Sequence, residues 1–112
     1  MAENKLTDLS MNFAVQTLQL CETIHSHSAL VNQLERSSTS IGANINEAIY
    51  GNSKADFISK LHIALKETGE SIYWLTLLKC THLIEYDFDS LLSLAEEIKR
   101  LLIASLNTAK SR

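Results

Sequence analysis

No proline interrupts the chain, and over most of its length apolar residues return every three or four positions. Together these facts restrict the fold to packed helices. A proline inside a helix removes a hydrogen-bond donor and clashes with the preceding turn. Recurrence at three- and four-residue spacing puts apolar side chains on one face of a helix. Glycine occurs only three times, which leaves little turn chemistry for the hairpins of a sheet. A chain of 112 residues makes one domain and buries about two-thirds of its unfolded surface. The expected class is all-α. Short connections force neighbouring helices antiparallel, so the expected architecture is an up-down-up-down four-helix bundle spanning residues 1–112.

The first helix is predicted over about 7–24, with Thr7 or Asp8 as its cap. Leu6, Leu9, Phe13, Leu20 and Ile24 form its core stripe, with Thr17 inside it. Met11, Val15 and Leu18 form a second apolar patch on the opposite side, which reads either as an interface or as scattered surface hydrophobes. The second helix is predicted over about 29–50, ending near Gly51 in the left-handed position. The third runs over about 54–81 behind a Ser53 cap, with Asp56 in the capping-box position. Phe57, Ile58, Leu61, Leu65, Thr68, Ile72 and Leu75 are its core stripe, with Ile63, Glu67, Glu70 and Trp74 roughly opposite. Beyond Ser71 it is apolar nearly all round, as in a subunit interface or an unusually well-wrapped helix. The fourth, over about 88–109, follows a cap at Asp87 or Asp89. It carries one stripe, Phe88, Leu91, Leu94, Ala95, Ile98, Leu102, Leu106 and Ala109.

The stretch Leu34 to Glu47 is unusual within this scheme. Leu34, Ile41, Ile45 and Ala48 make a dry stripe. Arg36, Ser40, Asn44 and Glu47 make a polar one, with the small residues Ser37, Ser38, Gly42 and Ala43 between them. Such a helix touches protein on more than one side, which points to oligomerisation. With helices 2 and 3 joined at Gly51–Ser53, Ser40 lies level with Ala64 and Arg36 with Thr68. The register predicts a buried or half-buried ion pair of Arg36 with Glu67 or Glu70, which specifies alignment more than it adds stability.

Composition removes several function classes. A net charge of −3 argues against affinity for nucleic acid by bulk charge, while leaving room for a local basic patch. No window of about 18 apolar residues could span a membrane. The N-terminus has no apolar signal core, so a cytoplasmic location is the default expectation. Cys21 and Cys80 do not make a disulfide framework. Cys21 with His25, and Cys80 with His82, fall at one end of the bundle. The two-residue spacing of the second pair suits a helical zinc site poorly, and packing thiols with surface histidines are the simpler reading. Glu22 and His25 give one Glu-x-x-His, whereas a di-iron bundle needs two. The serines of helix 2 have no glycine elbow and no positioned histidine, and no glycine loop cradles phosphate. No metal, cofactor or small-molecule substrate is expected.

A longer pattern runs through helices 2 and 3. Arg36, Ser37, Ser40, Ile41, Ala43, Asn44, Ile45, Glu47 and Ala48 open it. Gly51, Ser53, Lys54, Asp56 and Phe57 follow. Ala64, Leu65, Lys66, Glu67, Glu70, Tyr73, Trp74 and Leu75 complete it. The pattern resembles the signature of a four-helix-bundle family whose founding members are encoded in intervening sequences of bacterial 23S ribosomal RNA genes. The resemblance implies an up-down bundle assembled as a ring, typically a homopentamer, with no established enzymatic activity. It also suggests kinship with the accessory variability determinant of diversity-generating retroelements, which works with nucleic acid. Those proteins are markedly basic and this chain is acidic, which argues against direct RNA or DNA binding.

The functional expectation is a non-enzymatic oligomeric scaffold that engages a protein or ribonucleoprotein partner. Its structural and interface residues are Arg36, Ser40, Asn44, Glu47, Glu67, Glu70, Trp74, Met11, Val15 and Leu18. The alternative is direct nucleic-acid binding through basic residues gathered by symmetry, with Lys54, Lys60, Lys66, Lys99 and Arg100 as candidate contacts.

Overall fold

A computed structural model describes residues 2–112, with side chains from Asn4 onward. Four helices account for nearly all of it: α1 (Ala2–Glu22), α2 (Ser28–Ile49), α3 (Lys54–Thr81) and α4 (Phe88–Lys110). Each packs on its two neighbours around the bundle, and the backbones of the diagonal partners α1 and α3 stay apart across the core. The all-α four-helix bundle is therefore the fold. One apolar core runs its length, with Phe13, Leu34, Ile41, Leu75, Ile98 and Leu102 fully enclosed.

α1 begins well before the expected Thr7, and neither Thr7 nor Asp8 is its cap. Leu6 is only 1% exposed, and seating it against the core carries the preceding turn, rich in helix formers, into the helix. The helix also stops at Glu22, which leaves Ile24 partly buried in the connection. Ser53 caps α3 as expected, accepting the Asp56 N–H at 3.0 Å. Asp87 caps α4 through the Ser90 N–H at 3.1 Å, and Asp89 instead pairs with Lys79 at 2.6 Å.

Gly51 is not in the left-handed region, and neither is any other glycine. The residue is small for a different reason. A Cβ there would collide with the Asp56 carboxylate, which folds back across the turn. The left-handed positions fall to His27, before α2, and His82, after α3, with φ of 54° and 56°.

The buried stripe of α3 is turned relative to the expected one. Leu61, Thr68 and Leu75 are buried, but so are Ala64, Glu67, Ser71 and Leu78, while Phe57, Ile58, Leu65 and Ile72 stand at the edge. The reason lies in α2, which presents the fully buried Ser37, bonded to Ser71 of α3. Two helix surfaces made of small residues approach closely, and the bulky side chains are displaced to the flanks. Leu94 and Ala109 of α4 are likewise at its edge.

Candidate functional site

Two features of the surface invite a function: the polar seam between α2 and α3, and the apolar stripes on α1 and α3.

The seam is built around Arg36. Its Nη1 bonds Glu67 Oε2 at 2.9 Å, its Nη2 bonds Glu70 Oε2, and its Nε bonds Gln33 Oε1 at 3.2 Å. Both acids are thus partners of one guanidinium. Trp74 donates its indole N–H to the same Glu70 oxygen at 3.1 Å and stacks edge-on against Tyr73. The Trp74 donor, followed by Arg36, holds the Glu70 carboxyl below the usual carboxylate range, while Glu67 and then Glu70 raise the Arg36 guanidinium further. Beneath them Ser71 donates to Ser37 at 2.9 Å, and Ser37 donates onward to the Leu34 carbonyl. Glu67 is 8% exposed, and its Oε1 has no hydrogen-bond partner among the described residues. A buried oxygen left so costs about 1–3 kcal/mol. The expected placement of Glu67 on the outer side of α3 is thus corrected: it is buried beside Arg36.

The rest of the polar stripe serves its own helix and the register. Ser40 donates to the Arg36 carbonyl at 2.6 Å, and the Asn44 amide donates to the Ser40 carbonyl at 2.8 Å. Glu47 meets Lys60 of α3 at 3.2 Å. Sequence reasoning missed Gln33, whose signal was its position one turn before Arg36, and the buried Ser37–Ser71 pair, whose hydroxyls read only as small residues.

Met11, Val15 and Leu18 on α1 are 64%, 45% and 40% exposed. On α3, Tyr73, Ile63 and Leu77 are 60%, 37% and 36% exposed. α1 and α3 are diagonal, so these are two separate patches with α2 between them.

The basic candidates do not share one surface. Lys60 and Lys99 are paired with Glu47 and Glu96, and Lys54 donates to the Arg112 carbonyl. Among the described residues Lys66 and Arg100 have no carboxylate within ion-pair distance. Lys66 faces outward on α3, and Arg100 lies on α4 beside a shallow hollow that also holds Asp89 and Glu96.

Among the described residues no group of three or more His, Cys, Asp or Glu is placed to hold a metal ion. Cys21 is buried and Cys80 exposed, both free thiols. Burial, then Glu35, pushes the Cys21 thiol up to about 11. An open cleft of about 790 Å³ lies between the α2–α3 turn and the end of α4, over Ile49, Phe57, Leu101 and Ala104. Its ionisable side chains are Lys54 and Arg112, and no carboxylate, histidine or thiol side chain lines it. No helix among the described residues is long and apolar enough to cross a membrane.

The fold and its seam define an all-helical bundle with register-setting charges inside and unpartnered apolar stripes outside. The chain belongs to the 23S rRNA-intervening sequence protein family, whose model matches residues 2–104. It is similar to a solved protein of unknown function from the S23 ribosomal protein family of Bacteroides thetaiotaomicron. The two are 41% identical with a TM-score of 0.88, over 96% of this chain and 99% of that one. No curated protein matches the chain.

Proposed function

We propose that the protein is a non-enzymatic building block of a homo-oligomeric ring, five-membered as the family resemblance implies. In the cytoplasm the ring scaffolds a protein or ribonucleoprotein partner. The observation that carries this reading is the pair of exposed apolar patches on α1 and α3. A monomeric bundle needs one apolar stripe per helix, and each of these helices carries a second. The non-enzymatic part rests on the family resemblance, which carries no established enzymatic activity. A ribonucleoprotein partner accords with the ribosomal name of the structural relative's family. Free thiols at Cys21 and Cys80 suit a reducing compartment.

A second reading, direct contact with RNA or DNA, draws on a specific observation. Among the described residues Lys66 and Arg100 form no ion pair and Lys54 bonds a main-chain oxygen, so their charge is available. A ring would multiply them.

Native mass spectrometry at low and moderate salt, with and without a mixed RNA pool, tests both readings. A multimeric mass without RNA supports the scaffold. RNA that travels with the ring and dissociates steeply as salt rises supports direct binding. A monomer at micromolar concentration overturns the ring.

A further inference from the structure

We infer that the ring contact is head-to-tail and in register, the outer stripe of α1 on one copy docking on the outer stripe of α3 on the next. This rests on the homo-oligomer reading and goes beyond it by naming the two surfaces and their alignment.

The α1 stripe is Asp8, Met11, Val15, Leu18 and Glu22, at steps of three and four, so that three apolar residues stand between two acids. The α3 stripe is Ile63, Lys66, Glu70, Tyr73 and Leu77, at the same steps. Glu70 is already engaged by Arg36 and Trp74, and Lys66, which acts on Glu70 only through space, is the stripe's exposed cation with no ion pair among the described residues. One stripe is apolar with acidic ends; the other is apolar with an exposed cation, Lys66. Beside the second lies Gly69, an interior helical glycine that has nothing within 4 Å of where a Cβ would be. Glycine there costs about 1 kcal/mol relative to alanine and leaves a notch between Lys66 and Tyr73 where a protruding Met11 or Val15 fits.

The heights agree. A Cβ on Gly42 would meet Ser10 Oγ at 3.2 Å, so residue n of α1 stands level with residue 52 − n of α2. Ser37 bonds Ser71, so that α2 residue stands level with residue 56 + n of α3. Asp8, Met11, Val15, Leu18 and Glu22 therefore stand within about one residue, roughly 1.5 Å, of Ile63, Lys66, Glu70, Tyr73 and Leu77. Matching the two stripes needs a rotation about an axis along the bundle with almost no rise. A head-to-tail contact of that kind closes into a ring, whereas one with a rise climbs into a filament. A two-fold contact fits poorly. Two α1 stripes packed antiparallel set Asp8 against the second copy's Glu22 and leave the α3 stripe uncovered.

The test is disulfide trapping in a Cys80→Ser background. The double variant Leu18→Cys, Tyr73→Cys should oxidise to a ladder of cross-linked species ending at the native subunit count, and each single variant should stay uncross-linked. Asp8→Lys and Lys66→Glu should each weaken assembly about two- to fivefold, and their combination should restore it. Single variants that cross-link to themselves overturn the proposal, as does a multimer that gives no ladder and no charge rescue. A wild-type monomer overturns the homo-oligomer reading itself, so the two failures are distinguishable.

Discussion

The inner face of α4 is made of Phe88, Leu91, Ala95, Ile98, Leu102 and Leu106. The facing surfaces of α2 and α3 place Ser37, Ala64, Thr68 and Ser71 in the core, buried no less completely. α4 is held by apolar area removed from water, a force without direction that tolerates sliding. The α2–α3 seam is held by close approach of small residues, a buried hydroxyl pair and one guanidinium shared by two acids. Each of those contacts works at a single alignment. The bundle thus takes much of its adhesion from large side chains and its register from polar ones.

Substitutions that separate these roles go from large effect to small. Leu102→Ala in α4 should cost about 2–5 kcal/mol in urea denaturation at matched protein concentration, because it opens a cavity in a fully buried layer. A cost below 1 kcal/mol would show that α4 adheres loosely and would break the comparison.

Arg36→Ala should cost about 1–3 kcal/mol. Arg36 itself is about half exposed and its charge is screened, so the penalty comes mainly from stranding Glu67, whose side chain is 10% exposed. Adding Glu67→Leu should recover most of the loss, since removing both partners avoids a buried lone charge. Failure of the double variant to recover would mean that the pair contributes stability and not alignment alone.

Acid should act on the same seam. Glu70 has a folded-state pKa below its unfolded value of about 4.3. Its contribution is therefore complete above that value and is lost as pH falls through the lower folded one. Trp74, the only tryptophan, bonds Glu70 and reports the change in its fluorescence. Glu70→Gln should flatten the acid limb of that titration; an unchanged limb would place the transition elsewhere.

Ser37→Ala should cost about 1 kcal/mol, because it strands the Ser71 hydroxyl. Ser71→Ala should cost less, since Ser37 keeps its bond to the Leu34 carbonyl. Equal costs would indicate that packing, not the hydroxyl pair, matters there. The smallest effect is expected outside both regions. His82→Gly should stabilise by about 0.5–1 kcal/mol in thermal unfolding, because His82 holds φ at 56° where glycine is unstrained.

The dry stripe of α2 and most of the α4 stripe were legible in the sequence, because apolar residues at helical spacing mark a buried face without reference to any neighbour. The same reasoning turned α3 by part of a residue step. It ranked Leu65 and Ile72 above Ala64 and Ser71, and close packing against Ser37 ranks them the other way. Gly51 was readable as a turn residue, but not the Asp56 carboxylate that folds back over it. The Arg36 pairing was legible because the short turn at Gly51–Ser53 sets the alignment of two long helices; the sharing of that arginine between both acids was not.

What the sequence determined by itself was the class of fold, the number of helices and the partners across the α2–α3 seam. Each follows from spacing along the chain, which local geometry converts directly into faces and heights. Which polar residue is buried, where α1 begins, and the arrangement of the two exposed stripes on diagonal helices at one height were decided only by the tertiary structure. Those properties belong to pairs of helices, and a pair has no position in a sequence until the chain has packed.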